Sequence, residues 1–146
     1  MSNTPYPFAA PEEALAAFKA RDLSGFFRTL AAEPTHWWKG EAELLIPLKP
    51  ELLQHHGYAH GAIVGAAADN ACAWAAASAV GDVVTSSYTI QFLAPAKGDR
   101  LRARGIVLKA GKRQVSCEAK VWCSHAGGEE TLVAVALALI SPVTKP

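Results

Sequence analysis

Between Gly61 and Val80 the chain runs for twenty residues with a single charge, Asp69. The segment reads GAIVGAAADNACAWAAASAV and is dominated by alanine, the strongest helix former. A helix of that length spans about 30 Å. Its small or apolar residues point in every direction, so other parts of the chain must wrap it on most sides. A carboxylate at the centre of a wrapped helix is costly unless it is paired or neutralised. Chains carry that cost mostly at working sites. Immediately ahead lies Gln54-His55-His56-Gly57-Tyr58-Ala59-His60-Gly61, dense in polar groups and glycine. Polar loop, helix N-terminus and carboxylate together make a candidate active site.

The 146 residues suit one core-forming domain, and 51% hydrophobic with 18% charged residues is an ordinary globular composition. A net charge of +1 argues against a general nucleic-acid binder. Met1 to Pro11 is polar and proline-rich, without the apolar run of a secretory leader. Residues 61–80 are long enough to cross a bilayer, but Asp69 and Asn70 near the centre argue against it. Cys72, Cys117 and Cys123 lack metal-ligand spacing, so a reduced, cytoplasmic setting is expected, with no disulfide and no metal. His56 and His60 are four apart but no third ligand follows them.

Residues 1–10 read as a loose arm. A helix is predicted from Pro11 to about Ala32, with Glu12 and Glu13 in its first turn, Gly25 as a point of division and Pro34 as its end. Gly40 to Leu48 reads as a strand. After the alanine-rich helix come four strand candidates, Val83–Leu93, Leu101–Lys109, Gln114–Ser124 and Thr131–Ile140. In the first, Val84, Tyr88, Ile90 and Phe92 alternate with Thr85, Ser87, Thr89 and Gln91, giving an apolar and a polar face. Gly111 is placed in a hairpin turn that wants positive φ. The last candidate is apolar on both faces and is expected at the centre of the sheet. The order predicts an α+β fold, an antiparallel meander curled around one long central helix, with an extra N-terminal helix. Residues 1–39 form the extension and 40–146 the main domain.

Gly57-Tyr58-Ala59-His60-Gly61-Ala62, Asp69-Asn70-Ala71, Tyr88 to Ala96, Gly98-Asp99-Arg100-Leu101 and Gly111-Lys112-Arg113 resemble the PaaI-like (phenylacetate-pathway type) acyl-CoA thioesterases of the hotdog fold. The likeness covers about residues 40–141. It implies a curved antiparallel sheet around a central helix, hydrolysis of acyl-CoA to free acid and CoA, and a homodimer or dimer of dimers with the site between subunits. The usual His-Gly-Gly is here His60-Gly61-Ala62, and the loop position often held by asparagine is Gln54.

Thioester hydrolysis needs an attacking oxygen, a cradle for the carbonyl charge and room for the departing thiol. Asp69 can attack directly or take a proton from water. Gly61 lets a carbonyl approach its N–H, where the helix dipole favours negative charge. His60 can bond the loop or the carbonyl, and Gln54 can orient the carbonyl or support the loop. The resemblance implies that Thr85 reaches over from a partner subunit to position the attacking water. Ala62 and Asn70 are counted as substrate-contacting positions, although Asn70 lies about 100° round the helix from Asp69. Arg100, Arg102 and Arg104 alternate along one strand face and are candidates for the phosphates of coenzyme A. No cofactor beyond the substrate's own coenzyme A is expected, and no nucleic-acid or membrane partner.

Two other readings are open. A non-catalytic acyl-CoA binder would keep the fold and the cleft. A hotdog hydratase or dehydratase would need a second titratable partner for the aspartate, and the position five residues on holds Trp74.

Overall fold

The computed structural model describes residues 6–143. The alanine-rich segment is one helix, Gly61–Val80 (α3), opened by His60 and closed by Gly81, whose N–H bonds the Ala77 carbonyl. Two short helices precede it, Pro11–Lys19 (α1) and Gly25–Leu30 (α2). The predicted N-terminal helix therefore divides at residues 20–24. Arg28 ties that break together by donating to the Asp22 carboxylate and the Leu23 carbonyl. The segment ends at Ala31, in the left-handed region at φ 51°, rather than at Pro34.

Pro34 instead lies in a further strand, Glu33–Trp38 (β1), beyond the strands expected from the sequence. The other strands are Glu41–Pro47 (β2), Val83–Phe92 (β3), Arg100–Ala110 (β4), Val115–Ser124 (β5) and Thr131–Pro142 (β6). All six form one antiparallel sheet in the order β1-β2-β4-β5-β6-β3. The sheet thus begins at Glu33, ahead of the Gly40 boundary. β4, β5 and β6 are a meander, but β3 joins it at the far edge beside β6 and not beside β4. Consequently β6 is not central. Its second apolar face, with Leu137 60% and Leu139 37% exposed, lies on the outside of the sheet.

The sheet curls around α3, and this is the hotdog architecture that the resemblance implies. Alanines make the close approach possible: Ala67, Ala68, Ala71 and Ala75 are fully buried against the strands. At the crossing with β4, a Cβ built on Gly105 would lie 2.2 Å from the Ala71 carbonyl oxygen. Irregularities in the pairing of β1, β3, β4 and β5 add local twist and bend the sheet over the helix. Although α3 has the length and composition to cross a membrane, here it is the core helix.

The arm is less loose than expected. Residues 1–5 lie outside the described residues, but Tyr6 packs edge-on against Trp38 and Phe8 against Trp37. Phe18 of α1 stacks on Trp37 at 4.8 Å, and with Phe27 of α2 it also meets Trp74 of α3. The extension therefore closes one flank of the core helix. Cys117 and Cys123 fill the core as predicted, both buried and free. Burial pushes the Cys117 thiol up to about 11 and that of Cys72 higher still, so both are inert packing groups. The hairpin glycine Gly111 is not among the positive-φ residues. What restricts it is space, because a Cβ there would sit 2.9 Å from the Gln114 carbonyl oxygen.

Candidate active site

The loop before α3 is built around Gln54. Its N–H bonds the Tyr58 carbonyl, its carbonyl accepts from the Gly57 N–H, and its side-chain Oε1 accepts from the His56 N–H. Gly57 sits at φ +84°, which the turn requires of a glycine. Leu52 and Ala59 then hold His60 and the strand end: the His60 N–H bonds the Leu52 carbonyl, and the Ala59 N–H bonds Ala96.

His60 is the N-cap of α3. Its Nδ1 accepts from the Ala62 N–H at 3.0 Å, and its carbonyl accepts from Ile63 and Val64. Three of the first four helix amides are thereby occupied. The Gly61 N–H, with no acceptor among the described residues, remains to meet a ligand at the positive end of the helix. It opens on a cavity of about 410 Å³ lined by Gln54, Tyr58, Gly61, Val64, Phe92 and Val133. Ala62 is exposed beside it. Replacing His60 with alanine should remove the cap and cost about 1 kcal/mol of stability, whereas His60→Ser should keep most of it. Thermal melts of the two variants check this.

Asp69 lies on the half-open side of α3, in register with half-buried Ala66 and Ala73. The helix is wrapped on most sides, by the sheet and by α1–α2, but along this stripe β3 leaves Asp69 only half-buried. Its Oδ1 accepts a hydrogen bond from the Thr85 hydroxyl at 2.6 Å. Thr85 thus reaches the aspartate of its own chain.

The strand alternation had put Thr85 on the face opposite Tyr88. A bulge reverses that. Thr85 pairs with Ile140 and Ser87 with Leu139, so Ser86 is the extra residue. Thr85, Tyr88, Ile90 and Phe92 now share the face that looks at the helix, while Val84 turns outward and is 55% exposed. Sequence periodicity carries no mark of this bulge.

The chain does not bring Gly61 and Asp69 together. They are eight residues apart on one helix, or about 12 Å along its axis. A thioester carbonyl on the Gly61 amide is out of reach of the Asp69 carboxylate of the same chain.

The arginines stand elsewhere. Leu101, Ala103 and Gly105 of β4 face α3, so Arg100, Arg102 and Arg104 lie on the outer face of the sheet. Arg102 donates to Glu130 at 2.8 and 3.0 Å and to Glu43 at 3.0 Å, and stacks on Trp122. Hydrogen bonds to Glu130 hold its guanidinium charged, and Arg102 in turn holds the Glu130 carboxyl below its usual range. Arg104 is paired with Glu41 and Glu43, and Arg100 approaches Ser124. These side chains stiffen the β2–β4 surface and are not gathered at the Gly61 cavity. The alternation of Glu41 and Glu43 on the facing strand is the signal that would have found their partners. Asn70 is 9% exposed, and its Nδ2 is buried without a partner among the described residues. It faces away from the Asp69–Thr85 pair.

The thioesterase superfamily profile matches residues 56–129. The chain belongs to the thioesterase superfamily, and its fold is that of the PaaI-like hotdog proteins. A thioesterase family protein from Silicibacter pomeroyi is 29% identical and superposes with a TM-score of 0.83, over 92% of this chain and 98% of that one. A single-residue mutant of the phenylacetic acid degradation protein PaaI from Thermus thermophilus is 26% identical, with a TM-score of 0.73 over 82% of this chain and 100% of that one. The PaaI protein from the E. coli phenylacetic acid degradation operon, 21% identical over 91% and 92% of the two chains, shares the fold with a TM-score of 0.76. Comparison with curated proteins finds no match.

Proposed function

We propose that the protein hydrolyses acyl-CoA thioesters, aromatic or medium-chain, to the free acid and CoA. The observation that carries this reading is the Asp69–Thr85 pair, a half-open carboxylate at the middle of the core helix, in a chain of the thioesterase superfamily. Asp69 supplies or activates the attacking oxygen, and the Gly61 N–H takes the charge that develops on the carbonyl oxygen. Gln54, whose Nε2 has no acceptor among the described residues, lines the same cavity. No cofactor takes part.

The separation of Gly61 and Asp69 along α3 supports a homo-oligomer. A second copy laid against the open stripe of α3 places its Gly61 beside the first copy's Asp69. β3 ends the sheet, and its free edge is available for pairing with its counterpart. Dimer or tetramer, the assembly completes two sites at a time. The three buried, free cysteines fit a reducing, cytoplasmic setting.

The test is thiol release from a panel of aromatic and aliphatic acyl-CoAs, with the subunit count measured by light scattering on the same preparation. Release by an oligomer supports the reading and names the acyl class. Binding of acyl-CoA without release would instead mark a non-catalytic binder.

A further inference from the structure

Tyr88 of β3 lies against α3 at a place that the roles above do not explain. Along the inner face of β3, Thr85 meets Asp69, Tyr88 meets Gly65 and Phe92 meets Gly61. The Tyr88 hydroxyl lies 3.1 Å from where a Cβ on Gly65 would be. Gly65 is midway between Gly61 and Asp69, one helical turn before the carboxylate. Side chains on a helix lean toward its N-terminus, over the residue about four positions back. The Asp69 carboxylate therefore leans toward the spot that the Tyr88 hydroxyl occupies. Tyr88 is 44% exposed, and its hydroxyl bonds to no group among the described residues.

The bulge at Ser86 makes this grouping possible. Residues three apart on a regular strand face opposite ways, yet Thr85 and Tyr88 both pair with inward-facing residues of β6, Ile140 and Ala138. Thr85 and Tyr88 thus both turn to the helix stripe that carries Asp69, Thr85 at the carboxylate and Tyr88 one helical turn before it. The Thr85 proton is already committed to Asp69 Oδ1, so Thr85 can only accept a further bond. Asp69 keeps its second oxygen as an acceptor. The donor missing from this set is the Tyr88 O–H.

From this geometry we infer that Tyr88 holds the attacking water. The inference rests on the hydrolase reading above. The water donates one hydrogen to Asp69 Oδ2 and the other to Thr85 Oγ1, and accepts from the Tyr88 O–H. Both hydrogens and one lone pair are then fixed, and the remaining lone pair is aimed at the thioester carbon. As the O–C bond forms, the water's proton passes to Asp69. The C–S bond breaks, its electron pair leaves with the thiolate, and the thiolate recovers the proton from Asp69 to give CoA and the free acid.

The test compares the natural chain with Tyr88→Phe, which removes only the hydroxyl, using an acyl-CoA that the natural chain hydrolyses. The expected result is a kcat lower by about tenfold, the effect of losing one hydrogen bond to the attacking water. KM should stay within about twofold and the melting curve should be unchanged. Gly65→Ala, whose added methyl pushes the hydroxyl aside, should lower kcat in the natural chain but produce no further loss in the Tyr88→Phe background. Equal kcat for the natural chain and Tyr88→Phe overturns the inference and leaves the hydrolase reading standing. A change confined to KM also overturns it, because the phenol would then be touching acyl-CoA and not the water. If no acyl-CoA is hydrolysed by the natural chain, the hydrolase reading falls and this inference falls with it.

Discussion

Asp69→Asn should lower kcat for acyl-CoA hydrolysis by about a thousandfold, within the range for removing a general base or nucleophile. The substitution is nearly isosteric. Its amide oxygen can still accept from the Thr85 hydroxyl, so the 2.6 Å bond to β3 can be kept. Stability should therefore hold or rise slightly, since an ionised group on a core helix is retained for its chemistry more than for its contribution to folding. Steady-state kinetics beside a thermal melt separate the two effects. A loss of kcat with an unchanged melt assigns Asp69 to the reaction. Retained turnover would make Asp69 a structural partner of Thr85 and move the reaction elsewhere.

Gly105→Ala is the substitution expected to damage the fold most. The new Cβ would lie 2.2 Å from the Ala71 oxygen, 2.4 Å from its carbonyl carbon and 2.8 Å from the Cys72 nitrogen. All three belong to the α3 backbone, so no side-chain rotation relieves the clash. β4 would have to lift from the helix at the point where the core is closest, loosening Leu101 and Ala103 from their fully buried positions. The expected cost is about 4 kcal/mol, beyond ordinary overpacking, with a fall in Tm of about 10 °C. Gly25→Ala is a suitable control, because its Cβ would meet only the Arg28 guanidinium at an ordinary 3.6 Å. Its melting temperature should be close to that of the natural chain. If Gly105→Ala melts like that control, the helix–sheet distance described here is wrong.

Much of this protein can be read in its residues. Twenty alanine-rich positions between His60 and Gly81 leave no plausible element but a helix, and their smallness requires a sheet to close over them. Alternating apolar residues place β2, β4 and β5, and a continuous apolar run places β6, within a few residues of their observed ends. Asp69, Gly61, His60, Gln54 and Thr85 stand out by residue type and by the family pattern around them. Local signals suffice for these features because propensity and burial pattern act over a few neighbouring residues.

Other features depend on pairing across the fold, which no local window contains. β1 has Pro34 near its start and two adjacent tryptophans, Trp37 covered by α1 and α3 and Trp38 by Tyr6 of the arm, so its sequence does not alternate like a strand. β6 is apolar on both sides although one side is outside the sheet, and its place beside β3 follows from strand order alone. Arg102 and Arg104 of β4 find their ion-pair partners only in the fold, where Glu43 and Glu130, distant in sequence, lie against them. The arrangement of the site was decided in the same way. The chain alone determined that an aspartate would sit on a core helix behind a glycine-led N-terminus. Only the tertiary structure decided that one extra residue in β3 turns Thr85 and Tyr88 toward that aspartate. It also decided that the rise of an α-helix keeps the carboxylate and the Gly61 amide of one chain too far apart to act on one carbonyl.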